Sequence, residues 1–152
     1  MRAVLQRVKS AEVKVDERVT GSIGPGLLVF LGIGKGDSAH DAEILLSKII
    51  TLRCFEDSGG RMNRSLEETG GSLLIVSQFT LMAELRGRRP SFDLAAPAAE
   101  ARMLYDHFLR TAKSTKIHIQ SGEFQAGMQV HLINDGPVTL ICDTRSTGLS
   151  RD

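Results

Sequence analysis

The chain has 152 residues, the size of one domain, and 41% of them are hydrophobic, enough for a real core. With no Trp and one Tyr that core must be aliphatic, and a formal net charge of +1 excludes a generic basic nucleic-acid wrapper while leaving room for a local basic patch. No apolar run reaches membrane-spanning length and the opening residues hold no signal-like apolar region, so the expectation is a soluble cytoplasmic protein without a membrane partner.

Residues 2–8 read as a strand in which Ala3 and Leu5 share a face with Arg7, and Val4 and Val8 share the other with Gln6. Arg7 is therefore either a half-buried cation or an edge-strand arginine with its head in water, and the pattern alone favours water. Residues 13–15 and 19–23 form a hairpin around Asp16-Glu17-Arg18. Gly24-Pro25-Gly26 is a turn, and 27–31 is a buried strand. The Gly32-Ile33-Gly34-Lys35-Gly36 stretch that follows lacks phosphate-loop spacing: Val29 stands where a glycine is needed and Gly36 where a Ser or Thr is needed.

A helix starts at Asp37 or Ser38, with Asp41 at capping-box spacing. Ala42, Leu45, Leu46, Ile49 and Ile50 make its core-facing stripe. After a turn at Asp57-Ser58-Gly59-Gly60, residues 61–71 are loop with one helical turn. Leu73-Leu74-Ile75-Val76 is a continuous apolar run, read as the core of a buried strand over 72–79. Ser77, Gln78 and Thr80 gather at its end, where a rigid strand can present polar groups without burying them in the core.

Arg86, Arg88 and Arg89 sit around Gly87 in an irregular segment closed by Pro90, a group able to grip phosphates bidentately. Pro97 opens a second helix whose stripe is Ala101, Leu104, Tyr105, Phe108, Leu109 and Ala112. A short strand is expected over 117–119, then strands over 130–133 and 138–142 flanking a turn at Asn134-Asp135-Gly136-Pro137. Residues 144–152 read as a polar, frayed tail. Short connections predict an α+β fold: a largely antiparallel sheet with two main helices packed on one face, in a single domain over 1–152.

His40, His107, His118 and His131 are scattered, without metal-ligand spacing, so neither a metal nor another cofactor is expected. Cys54 and Cys142 lie in apolar surroundings, which points to buried reduced thiols. Thr80 is the most tempting nucleophile, yet no base stands near it in sequence, and a hydroxyl bonded to backbone at a strand end explains it equally well. Phe79 can offer its ring to a ligand or simply fill core.

These segments together resemble one family, the D-aminoacyl-tRNA deacylases of the bacterial and eukaryotic type. The likeness rests on 1–8, Gly24-Pro25-Gly26-Leu27-Leu28-Val29, Arg61-Met62-Asn63, Ser77-Gln78-Phe79-Thr80-Leu81, Arg89-Pro90-Ser91-Phe92 and Asn134-Asp135-Gly136-Pro137-Val138-Thr139. The resemblance implies a barrel-like core that dimerises, with active sites at the subunit interface. It implies hydrolysis of the ester between a D-amino acid, or glycine, and the terminal adenosine of tRNA. In the family a cis Gly-Pro bond, here Gly136-Pro137, reaches into the other subunit's site and excludes L side chains sterically.

The same resemblance makes Ser77, Gln78, Phe79 and Thr80 the lining of the adenosine and carbonyl pocket. It puts Met62 near the substrate entrance, and it gives Arg7 the task of fixing the Gly-Pro loop, against the water-facing reading. It weakens Thr80 as a nucleophile, because the 2′-hydroxyl of the ribose assists and backbone donors stabilise the oxyanion. Departures from the family pattern fall in the Glu84-Leu85-Arg86 loop, at Gln125 and Gly127, where Gly or Ala and Asp are common, and in the tail past Cys142. Two alternatives stay open: a non-catalytic RNA-binding module that uses Arg86, Arg88 and Arg89, and an esterase with Thr80 as nucleophile.

Overall fold

The computed structural model describes residues 1–146. Its elements are, in chain order, β1 (Arg2–Val15), β2 (Arg18–Ile23), β3 (Gly26–Gly32), α1 (Ala39–Thr51), β4 (Phe55–Glu56), β5 (Met62–Arg64), α2 (Leu66–Thr69), β6 (Ser72–Ser77), a 3-10 turn (Phe79–Met82), α3 (Ala98–Lys113), β7 (Ile119–Ser121) and β8 (Gln129–Asp143).

β1 organises the sheet. Its first half pairs antiparallel with β3, its second half pairs antiparallel with β2, and β8 runs antiparallel along nearly its whole length. The antiparallel expectation holds around β1. It does not extend to β3, β6 and β7, which are mutually parallel. The reason is the connections: α1 lies between β3 and β6, and α3 between β6 and β7, and a crossover of that length returns a strand in the same direction. β7 then comes against β2, so closely that a Cβ on Gly21 would lie 2.6 Å from the Ser121 carbonyl oxygen. The sheet thereby curls into a nearly closed barrel.

The apolar run of β6 is buried on both faces, and alternation assigns each side chain its partner. Leu73 and Ile75 join the core under α1 and α3, while Leu74 and Val76 join the core inside the barrel. The stripes of both helices, Leu45 and Ile49 on α1 and Tyr105 and Phe108 on α3, meet that first core. Ser38 is the N-cap of α1 and forms the expected capping box with Asp41. Both cysteines are free and buried.

Along β1 the facing changes. Ala3 and Leu5 point to the helix-side core, yet Ala11 and Val13, of the same parity, point into the barrel. An extra residue at Lys9 accounts for it: between Val8 and Ser10 the partner strand advances by one residue only, from Asn134 to Ile133. This bulge also merges what the sequence reads as two strands into one.

Two further expectations are corrected. The strands expected over 130–133 and 138–142 are not two arms of a hairpin. Both flanks pair with the same strand, Val8 with Asn134 and Gln6 with Thr139, so β8 is continuous in direction and residues 135–138 bulge out opposite Arg7 alone. The tail does not fray at Thr144, which is buried and accepts a hydrogen bond from the Met1 ammonium at 2.8 Å. Arg145 donates to the Lys35 carbonyl at 2.6 Å and to Asp37 at 2.9 Å. Residues 147–152 of the expected tail lie outside the described residues.

Candidate active site

Because β3, β6 and β7 run parallel, their C-terminal ends open on the same side. In parallel sheets that is where ligands bind, since the strands stop together and the following loops form walls. A cavity of about 580 Å³ lies there, inside the range of about 300–1,000 Å³ typical of small-molecule sites. Leu31 and Ile33 line it from β3 and beyond, Ser77 and Gln78 from β6, and Phe124 and Met128 from the loop after β7. Alanines before and within α3, from Ala95 to Ala101, complete an apolar wall.

The polar cluster read from the sequence sits at this opening. The strand ends at Ser77, two residues earlier than expected, because the chain turns into the 3-10 segment Phe79–Met82. The Gln78 N–H still donates to the Leu31 carbonyl at 2.8 Å, which ties the start of the turn to β3. The Leu81 N–H donates to the Gln78 carbonyl at 3.2 Å, leaving the Phe79 and Thr80 N–H groups at the head of the turn without an acceptor inside it. Gly32 makes this close approach possible: a Cβ there would lie 2.9 Å from the Leu81 Cβ and 3.2 Å from the Gln78 oxygen. Arg2 secures the far side, donating to the Leu81 carbonyl at 3.0 Å and to Asp143 at 2.8 Å. Burial alone would raise the Asp143 pKa, but hydrogen bonds from the Arg145 backbone and from Arg2 bring it below the ordinary aspartate value.

Gln78 Nε2 lies 2.5 Å from Thr80 Oγ1 and donates to it. An amide is no general base in either orientation, and among the described residues no His, Asp or Glu bonds that hydroxyl. Thr80 therefore lacks what a nucleophilic hydroxyl needs. Phe79 is 58% exposed, too open for a core residue, and its ring meets Phe92 edge-on at 5.0 Å.

That aromatic contact anchors the arginine loop beside the site. Glu84 and Ser91 exchange backbone hydrogen bonds at 2.8 and 3.0 Å, closing a small loop that carries Arg86, Arg88 and Arg89 on its exposed tip. Arg86 is paired with Glu84 at 3.0 Å.

The remaining predicted residues form a second group. Arg7 is only 6% exposed, which overturns the water-facing reading of the pattern. Its Nε donates to the Asp135 carbonyl at 2.8 Å and its Nη1 to the Cys54 carbonyl at 2.9 Å. The physical reason is the bulge in β8, which leaves a gap opposite Arg7 that the guanidinium fills. Gly136 has φ +151°, and a Cβ on it would lie 2.7 Å from Val138 Cγ2 and 2.8 Å from the Val138 nitrogen. The Gly136-Pro137 bond is cis. Met62, half exposed, pairs with Glu56 in the β4–β5 hairpin, and Glu56 lies 3.7 Å from Arg7.

The two groups are apart within one chain. Arg2, at the start of β1, touches the turn, and Arg7, five positions further on, holds the bulge.

A family described as D-Tyr-tRNA(Tyr) deacylase matches residues 4–143. The chain belongs to this family. It is 54% identical to a D-aminoacyl-tRNA deacylase of Syntrophotalea carbinolica over 95% of this chain and 97% of that one. It is 53% identical to a D-aminoacyl-tRNA deacylase of Geobacter sulfurreducens over 99% of both. Among solved structures, the c-Myc DNA unwinding element binding protein superposes with a TM-score of 0.91 at 40% identity, covering 96% of this chain and all of that one. A probable eukaryotic D-amino acid tRNA deacylase superposes with a TM-score of 0.80 at 17% identity over 93% and 97%, a likeness of fold alone.

The family's two sequence segments, around Gln78 and around Pro137, thus sit in separate places on one chain. Sequence reasoning missed the β7 loop, including Phe124 and Gln125, as a wall of the cavity. It also missed Asn134 as the clasp of the bulge: its side-chain oxygen accepts from the Val138 N–H at 2.8 Å and its nitrogen donates to the Val138 carbonyl at 3.1 Å. An Asn before Asp-Gly-Pro reads as turn chemistry, so only the pairing of both flanks with β1 discloses that role.

Proposed function

We propose that this protein hydrolyses the ester joining a D-amino acid, or glycine, to the 3′-terminal adenosine of tRNA, and acts as a homodimer in the cytoplasm, where charged tRNA is used. The observation that carries the reading is the cavity at the ends of β3, β6 and β7, walled by Ser77, Gln78 and Phe79, in a chain that matches the family over residues 4–143.

The terminal adenosine enters the cavity and the ester carbonyl meets the head of the 3-10 turn. The N–H groups of Phe79 and Thr80 are unused within the turn, so they are the donors for the oxyanion that forms as water adds to the carbonyl. Thr80 acts through its backbone, and the ribose 2′-hydroxyl supplies the assistance that the Thr80 hydroxyl cannot. Collapse of the tetrahedral intermediate expels the ribose oxygen and leaves free amino acid and tRNA.

Selection for handedness falls to the second group of residues. The Gly136-Pro137 bulge, anchored at Arg7 and not at Arg2 beside its own turn, serves the cavity of a second copy instead. Backbone held by Arg7 and Asn134 forms a wall that leaves room for hydrogen or a D side chain and none for an L side chain. Met62 stands at the same entrance. Arg86, Arg88 and Arg89, tethered through Phe92 to Phe79, take the phosphates leading to the terminal nucleotide.

The test is deacylation of D- and L-tyrosyl-tRNA by the purified protein, with sedimentation to establish its oligomeric state. Release of the D form at least about a hundredfold faster is expected. Equal rates on both forms would end the reading, and binding of tRNA without turnover would leave an RNA-binding module.

A further inference from the structure

We propose that Gln125 contacts the 3′-terminal nucleoside of the substrate and sets its affinity; this rests on the hydrolase reading above. Three of the described residues lining the cavity carry polar side chains: Ser77, Gln78 and Gln125. The first two belong to β6 and its turn. Gln125 comes from a different element, the loop after β7, and nothing in the proposed chemistry uses it.

Its backbone is held in a conformation that side-chain-bearing residues avoid, with φ +61°. Such conformations persist only where the surroundings impose them. Here they do. Before it, the Gly122 N–H donates to the Ile75 carbonyl at 2.9 Å. The Phe124 ring is packed against Tyr105 at 5.4 Å and under the Arg102 guanidinium at 5.5 Å. After it, the Ala126 N–H closes back on the Glu123 carbonyl at 3.3 Å. Between these anchors Gln125, exposed to solvent, lies on the cavity wall.

The Gln78 amide is engaged with Thr80, whereas Gln125 is exposed and its amide makes no protein hydrogen bond among the described residues, so it is free to meet a ligand at the cavity mouth. It offers two donors and one acceptor beside the apolar Phe124, Ala126 and Met128. That set suits the neutral edge of a nucleobase or a ribose hydroxyl. A phosphate is served better by arginines, which lie on the loop at 86–89.

The experiment is steady-state deacylation of D-tyrosyl-tRNA by the full-length protein carrying Gln125→Gly or Gln125→Asn, alongside thermal melting. Glycine relieves the left-handed backbone and removes the amide. The expected result is a KM raised about tenfold with kcat within about twofold, and a melting temperature equal to or above that of the unaltered protein. Asparagine tolerates the same backbone and keeps an amide, so Gln125→Asn is expected to recover part of the lost affinity. An unchanged KM for Gln125→Gly overturns the inference and leaves Gln125 as a strained turn residue, with the hydrolase reading intact. No turnover by the unaltered protein sinks both.

Discussion

The Nε of Arg7 donates to the carbonyl of Asp135 at 2.8 Å, across 128 positions of sequence. A buried cation on one strand thereby holds the bulge of its neighbour, and Cys54 supplies the second carbonyl. Glu56, at 3.7 Å and 60% exposed, adds little.

Arg7→Ala removes both bonds and leaves two carbonyls without donors. The expected cost is about 3 kcal/mol in urea unfolding, with the preference for D- over L-tyrosyl-tRNA reduced at least about tenfold. Arg7→Lys keeps the charge but not the fork, so it should be intermediate. Full stability and full discrimination in Arg7→Ala would mean that the bulge is held by Asn134 alone.

Gly32→Ala tests whether the position of the 3-10 turn matters. The new methyl would stand 2.9 Å from Leu81 Cβ and must push the turn outward. Misplacement by a fraction of an ångström to about 1 Å should lower kcat/KM by about ten- to a hundredfold on D-tyrosyl-tRNA. A variant as active as the parent would show that the turn is not where the ester reacts.

Thr80→Ala is expected to retain at least about a tenth of kcat/KM, because Oγ1 has no base and the donor is the backbone N–H. Loss of about four orders of magnitude or more, the scale of a lost nucleophile, would restore the hydroxyl to the mechanism.

Burial pushes the Cys54 thiol above its ordinary pKa, with Arg7 only partly opposing it, and burial does the same to Cys142. Both should stay protonated and unreactive at neutral pH. Thiol titration with a disulfide reagent should show no fast-reacting group in the folded protein and two after unfolding. A fast-reacting thiol in the native protein would contradict the packing described for both.

Acid should loosen the start of α1. Burial alone would raise the Asp41 pKa, but bonds from the Ser38 hydroxyl and N–H outweigh it and lower the value. A carboxylate lowered in the folded state stabilises the fold above its unfolded pKa of about 3.9, and the contribution is lost as pH falls through and below that value. The stability gap between the parent and Asp41→Asn should therefore shrink between about pH 5 and pH 3. A gap that holds constant over that window would place the cap's worth elsewhere.

How much of this could be read from residue order varies with the range of the cause. The stripe of α1, its Ser38–Asp41 cap, the doubly buried run of β6 and the polar cluster at its end were all legible. Each depends on neighbours within about four positions, where period and cap chemistry act. Gln78 and Phe79, which line the cavity, stood out for the same reason: polarity changes abruptly at the end of an apolar strand.

Arg7 shows the limit. Alternation assigned it to the face of Ala3 and Leu5 correctly, but whether its head reached water depended on a bulge in a strand 128 residues away. The bulge in turn looked like a hairpin, because Asn-Asp-Gly-Pro serves both, and only pairing with β1 separates a reversal from an excursion. Gln125 stood out only as a departure from the family pattern, and nothing local placed it at the cavity. By itself the sequence determined the local elements, the aliphatic core and the family motifs, since these are written in spacing and side-chain type. The tertiary structure decided which strand ends share an opening, which cation is buried and which loop walls the cavity, because those follow from pairings between distant strands that no local period encodes.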